Sequence, residues 1–384
     1  MASQQQRLPA RFWALIAATF LGFLGFGTVL PALAPHVRYD LGGSDRTVGF
    51  VIGTFSVVAL ASRLFAGRLT DRKGRKVAFL TGLASCTCAG LTYLLPLGLT
   101  GMYLGRAFQG VGEACLYTGA AAWAVELAGL NRSARALGFV SSGIWGGIST
   151  GPVIGHWLGS FEHAAMFQVL AATVAFAVLS RVPENYHYEP HAERRPWLRA
   201  AILPPGIAVG LVNVHYPVIT GFLILHLARH GNSGAAAFST YAGFVLLSRF
   251  FLGGLPDRVP PQFTYYGGLL LMALGLSVLA TGPQPAVAIF GAALLGFGFS
   301  FPWASVAGTV FRETPDRERG STVSLLSAFY DLFVGISSFS AGVVASNFGY
   351  SATFVMAVVA LGGAAMAGYF VFWPARREVT EIAG

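Results

Sequence analysis

Twelve apolar runs, each about as long as a bilayer-spanning helix, follow one another through this 384-residue chain. A helix needs roughly 20 apolar residues to cross the hydrocarbon core. In lipid the backbone must satisfy its own hydrogen bonds, which restricts spanning segments to helices and closed barrels. Runs of this length predict helices. They lie near 12–34, 47–66, 77–97, 102–125, 136–158 and 164–182, then near 202–228, 235–253, 263–282, 285–310, 321–345 and 350–373. The expected fold class is an all-α membrane protein with twelve transmembrane helices. The run Phe12–Leu33 is read as an uncleaved first span, because Pro35 directly follows Ala32-Leu33-Ala34 and eleven more runs come after it.

Charged residues make up 11% of the chain, against roughly 25% in soluble domains. The net charge of +9 does not point to nucleic acid, because the basic residues sit between the apolar runs. There they orient a membrane protein. With the amino terminus placed in the cytoplasm, nineteen Lys and Arg fall on the cytoplasmic side and three, Arg38, Arg46 and Arg229, on the other. This bias puts both termini in the cytoplasm, and the expected location is the bacterial inner membrane. Cys86, Cys88 and Cys115 lie inside apolar runs at spacings that fit neither a zinc site nor a disulfide framework. No metal and no cofactor are expected. A membrane enzyme is disfavoured because HExxH, GxSxG and P-loop patterns are missing, and a receptor because the loops are too short for a soluble domain.

The chain also repeats itself. Ser62–Arg72 (SRLFAGRLTDR) aligns with Ser248–Arg258 (SRFFLGGLPDR), and seven of eleven positions match at an offset of 186 (248 − 62). The same offset pairs Pro31 with Pro217. Two six-helix halves of like orientation are expected, 1–182 and 201–384, joined by a cytoplasmic linker at 183–200.

Four short motifs then fall in order. Gly67–Lys76 (GRLTDRKGRK), placed between the second and third spans, resembles the signature loop of the major facilitator superfamily. Arg106–Gly112 (RAFQGVG) resembles its fourth-helix motif, and Gly151–Gly155 (GPVIG) the fifth-helix motif of its antiporters. Leu30–Pro35 (LPALAP) is similar to a first-helix element of twelve-helix drug/proton antiporters. The resemblance implies a secondary active transporter working by alternating access, with helices 1, 4, 7 and 10 lining a central cavity. It implies export of a small organic or amphipathic solute in exchange for protons. The alternative is a proton symporter or facilitator importing a sugar or an organic acid. The expected partners are solute, protons and lipid, and the expected form is a monomer.

The residues themselves suggest roles. In the signature motif, Gly67 would let two helices approach and Asp71 would meet a helix N-terminus, where the dipole favours an anion. With Arg72, Gly74 and Arg75, and with Asp257 and Arg258 of the second copy, these form an expected conformational latch. Gly147, Gly151 and Gly155, spaced by four, are expected to form a groove for another helix backbone, and Pro152 to distort that helix. Ionisable groups inside spans are expensive and mark pathways. Asp331, Glu113 and His215 are therefore the expected proton-coupling residues. Asp331 comes first, having no cation within four positions on its own helix, whereas Glu113 shares a face with Arg106. Arg106, Phe26, Tyr117, Trp145, Asn213, Tyr216, Trp303 and Tyr330 are the expected substrate contacts. Arg63 and Arg249, taken to lie near helix ends, are assigned to snorkelling or latching.

Overall fold

A computed structural model describes residues 8–129, 132–184, 200–232, 234–252, 255–314 and 319–373. Twelve long helices run through them: α1 Ala10–Pro35, α2 Asp45–Lys73, α3 Arg75–Leu94, α4 Gly98–Ala128, α5 Ser133–Leu158, α6 Phe161–Ser180, α7 Leu203–Arg229, α8 Ala235–Leu252, α9 Pro261–Ala280, α10 Pro285–Arg312, α11 Arg319–Phe348 and α12 Tyr350–Phe372. Ten are long and apolar enough to cross a membrane. The two that fall short, α4 and α5, carry Arg106, Gln109 and Glu113 on one and a run of glycines and serines on the other. The linker residues 185–199 lie outside the described segments.

Helix ends follow glycine and proline rather than charge. The signature motif was expected to be a loop, yet α2 stays helical through Lys73, since nothing from Gly67 to Lys73 breaks a helix. The turn is confined to Gly74, whose φ of 104° a side chain would strain. Prolines mark the irregular stretches. α1 carries Pro31 and Pro35 and ends in a π-turn at His36–Asp40. α7 breaks at Asn213-Val214, and a second π-turn, Ile219–Leu223, follows Pro217. α10 is interrupted before Pro302.

Helices α1 to α6 pack on one another, as do α7 to α12, and the two groups meet chiefly along α2–α11 and α5–α8. The tightest seam is α1 on α5. A Cβ on Gly147 would lie 2.5 Å from Phe20 O, and one on Gly151 2.5 Å from Gly27 Cα. One on Gly155 would strike the Thr28 carbonyl. Pro152 leaves the Ile148 carbonyl without its helical donor, and this oxygen lies 2.8 Å from a Cβ built on Gly27. Small residues here let two backbones touch, where dispersion drives helix association in lipid. Large apolar side chains such as Phe250, Phe263, Val359 and Met366 face outward.

The bundle has a basic end, bearing Arg68–Lys76, Arg135 and Arg181, and a far end that is closed. At the far end, Tyr350 donates to Asp45 Oδ1 at 2.7 Å, and Arg38 and Arg229 approach the same carboxylate at 3.2 and 3.9 Å. Arg46 donates to Ser346 and Asn347 at 3.0 and 3.1 Å. Just below, a Cβ on Gly49 would lie 2.5 Å from Ser338 O, so α2 and α11 touch backbone to backbone.

Candidate functional site

A cavity of about 510 Å³ lies between the two helix groups. It reaches from Leu30 and Ile148, near the closed far end, to Leu137, Phe311 and Arg312 at the basic end, where the lining residues Gly138 and Arg312 are exposed. Its walls come from α1, α2, α4, α5, α7, α10 and α11, so helices 1, 4, 7 and 10 are joined by three more. α2 enters because Arg63 lies ten residues before its end at Lys73 (73 − 63), well inside the bundle. Arg63 is therefore no snorkelling residue; the expectation failed because α2 is longer than its apolar run.

Arg63 organises the site. Its Nε donates to Asp331 Oδ2 at 2.5 Å, and Nη2 reaches the Glu113 carboxylate at 3.4 Å. The ring of Tyr117 lies 5.3 Å from its guanidinium carbon. Ser327 of α11 donates to the Tyr117 hydroxyl at 3.3 Å. Asp331, 1% exposed, has its second oxygen buried and unpartnered. Three helices, α2, α4 and α11, thus share one cation and two carboxylates. With both carboxylates ionised, one negative charge is left over, and a single proton would neutralise the cluster. Asp331 has no cation within four positions on its own helix, as expected, but another helix supplies one in Arg63. Glu113, expected to share its charge with Arg106, pairs with Arg63 instead.

Arg106 points into a neutral network. Its Nη1 donates to Gln109 Oε1 at 2.7 Å, and Nη2 to the Ile52 carbonyl at 3.3 Å. Phe55 stacks under it at 4.5 Å. Tyr93 donates to the same Gln109 oxygen, and Gln109 donates to Gln168, which donates to the Cys86 carbonyl. Sequence reasoning missed this chain of buried amides, because a single glutamine in an apolar run looks incidental.

The internal repeat persists in three dimensions. Arg249 is the equivalent of Arg63, and the offset of 186 takes Glu113 to Phe299, Tyr117 to Trp303 and Asp331 back to Trp145. Where Arg63 meets two carboxylates, Arg249 lies 4.2 Å from the Trp145 ring and 5.7 Å from Phe299. Its Nε and Nη2 are buried without a hydrogen-bond partner. One copy of the site is ionic and the other aromatic. Arg249 is thus not at a solvated helix end either.

Of the expected substrate contacts, Phe26, Arg106, Tyr117, Trp145, Tyr216, Trp303 and Tyr330 line the cavity. Asn213 does not; its amide donates back to Val209 O at 2.7 Å, at the break in α7. His215 is fully buried beside it, one ring nitrogen on Val212 O and the other on the Tyr241 hydroxyl. Both nitrogens of a neutral ring are thereby satisfied.

The signature motif sits at the basic end. Asp71 and Arg72 are exposed on the last turns of α2. The carboxylate found at the first backbone N–H of α3 is that of Glu184, at 2.7 Å from Arg75 N. Arg75 also donates to Glu126 at 2.6 Å. A Cβ on Gly67 would meet nothing within 4 Å, so the close approach expected there is not made with this end of the bundle open. Arg258 is exposed, and the Asp257 side chain lies outside the described residues.

A sequence profile of the Major Facilitator Superfamily matches residues 15–266 and 216–384. An uncharacterized MFS-type transporter of Salmonella typhimurium is 29% identical over 383 residues, 95% of this chain and 97% of its own. Among solved structures, a bacterial homologue of the human lysosomal transporter Spinster, in an inward-facing and unoccupied conformation, superposes with a TM-score of 0.78. It is 17% identical and matches 95% of this chain and 98% of its own. The nucleoside transporter NupG gives 0.76 at 14% identity, over 94% of this chain and 100% of that one. The likeness in structure carries the fold and the profile carries the family: this chain is an integral, multi-pass membrane protein and belongs to the Major Facilitator Superfamily.

Proposed function

We propose that this chain is a proton-coupled secondary transporter that exports a small organic solute by alternating access through the cavity. The observation that carries this reading is Arg63, on the cavity wall, shared by Glu113 and the buried Asp331. Intramembrane ionisable residues mark ion and proton pathways, and a cluster with one charge left over has a place for one proton. The bond from α2 to α11 breaks or forms as the two helix groups rock about the cavity. Proton binding at Asp331 or Glu113 would therefore bias that motion.

The arginine asymmetry supports two cytoplasmic termini in a bacterial inner membrane. The cavity then faces the cytoplasm, where a solute for export would enter. The signature residues Gly67, Asp71, Arg72, Gly74 and Arg75, with Asp257 and Arg258, would hold the basic end when it closes. The α1–α5 seam at Gly147, Gly151, Pro152 and Gly155 would prevent leak. The relatives do not choose a solute, since neighbours of this fold include a nucleoside transporter.

Proteoliposomes loaded with a pH-reporting dye and made acidic inside test the reading. Nucleosides, sugars and aromatic carboxylates are added outside in turn. Exchange requires that at least one of them raise the internal pH as it enters. A solute whose uptake needs an alkaline interior would favour import by symport. Solute uptake with no proton movement in either direction would defeat the coupling.

A further inference from the structure

The three intramembrane arginines are not compensated alike. Arg63 has two carboxylates. Arg106, 5% exposed on the cavity wall, has only neutral partners, and its Nε–H is buried with none. Arg249 has two aromatic faces and two buried nitrogens without partners. Among the described residues, no carboxylate lies within ion-pair distance of Arg106 or Arg249. A buried guanidinium without a countercharge is costly, and it persists where something else supplies the charge.

Summed over the three intramembrane arginines and the two carboxylates of the Arg63 cluster, the charge is a surplus of one positive (3 − 2) even when both carboxylates are ionised. Arg312 adds a further cation at the mouth. The remaining walls are largely apolar and aromatic. Trp145, Tyr330 and Tyr216 follow one another along the wall at ring separations of 6.5 and 6.5 Å, and the buried Phe299 backs Trp145 at 5.9 Å. Gln109, fixed by Tyr93 and Gln168, holds the Arg106 guanidinium in one orientation. This is a preorganised cation beside an apolar chamber, a combination that suits a ligand with one charged end.

We propose that the solute is an amphipathic organic monoanion whose carboxylate is held by Arg106 and whose aromatic or apolar body packs against Trp145, Tyr216 and Tyr330. The surplus charge favours a monoanion over a neutral solute and excludes a cationic one. Arg249, behind Trp145, strengthens the positive field without touching the carboxylate. The assignment rests on the reading of the chain as a transporter that uses this cavity.

The test is equilibrium binding to the full chain in detergent at neutral pH, with no gradient, followed by thermal unfolding and by tryptophan fluorescence. The probes are benzoate and phenylacetate, with benzamide and benzyl alcohol as neutral counterparts and benzylamine as the cation. Benzoate or phenylacetate should protect the wild type, and the neutral and cationic probes should protect at least about tenfold less well. Arg106→Gln should weaken anion binding by about tenfold or more, Arg106→Lys by less, and Arg249→Gln by about threefold. Equal protection by benzylamine or benzamide overturns the proposal, as does protection by neither anion, or unchanged affinity in Arg106→Gln. The comparison of probes needs only the wild type, so a variant that fails to fold does not remove the test. Because no gradient is used, the transport reading and the anion assignment can fail separately. A chain that exchanges protons for neutral solutes keeps the first and loses the second.

Discussion

Arg63 on α2 donates through Nε to Asp331 Oδ2 on α11 at 2.5 Å, across the line where the two six-helix groups meet. This bond ties a titratable group to the interface along which the two helix groups would move in the proposed transport cycle. Glu113, on α4, is held more loosely by the same cation at 3.4 Å.

Removing Arg63 should therefore cost more than removing either acid. Breaking a buried pair by deleting one partner typically costs about 3–5 kcal/mol, because a charge is left uncompensated. Arg63→Gln is expected to lower the melting midpoint in detergent markedly. Arg63→Gln combined with Asp331→Asn should recover most of that stability while coupling stays lost. Equal stability of Arg63→Gln and the wild type would show that the cation is not buried against its acids.

The α1–α5 seam should tolerate no side chain. Gly151→Ala places a methyl group 2.5 Å from Gly27 Cα, and overpacking of this kind costs about 1–3 kcal/mol. Gly138→Ala, on the same helix but with nothing within 4 Å, should melt within about 0.5 kcal/mol of the wild type. Parallel thermal unfolding of the two variants checks the contrast.

Bulk at the two ends should bias the conformation in opposite directions. Gly49→Leu pushes α2 off α11 at the closed far end, where a Cβ already meets Ser338 O at 2.5 Å. It should favour opening there. Gly67→Leu has open space in this conformation and should instead hinder closure of the basic end. A reporter cysteine at Gly308, on the cavity wall, should be labelled from the basic side more slowly than in the wild type in the first variant and at least as fast in the second. Identical rates in both would deny any role to close packing at these glycines.

How much of this was legible in the sequence depends on what each signal reports. Apolar runs report the bilayer, so most helix bounds agree within a few residues. α2 was misjudged because its last two turns are charged but contain no breaker, and charge does not end a helix. The partners of Arg63 lie 50 and 268 positions away, beyond reasoning confined to one helix, so Arg106 was wrongly paired with Glu113. Yet the internal repeat already contained the arrangement. Its offset of 186 sets Arg63 against Arg249, Glu113 against Phe299 and Asp331 against Trp145. The buried chain of Tyr93, Gln109 and Gln168 had no such signal, since its members come from three helices.

In the proposed cycle the driving proton binds at the Arg63 cluster, and Asp331, whose Oδ1 is buried without a partner, is its first candidate carrier ahead of Glu113. The most direct measurement compares wild type and Asp331→Asn in the same pH-reporting proteoliposomes, using a solute that discharges the gradient in the wild type. Two rates are read, accumulation driven by an acidic interior and solute exchange at equal pH. The expected result is that accumulation falls by at least about tenfold, the equivalent of ~1.4 kcal/mol, while exchange persists near the wild-type rate. If Asp331→Asn still concentrates the solute against its gradient, the proton is carried elsewhere and the account of this site is wrong.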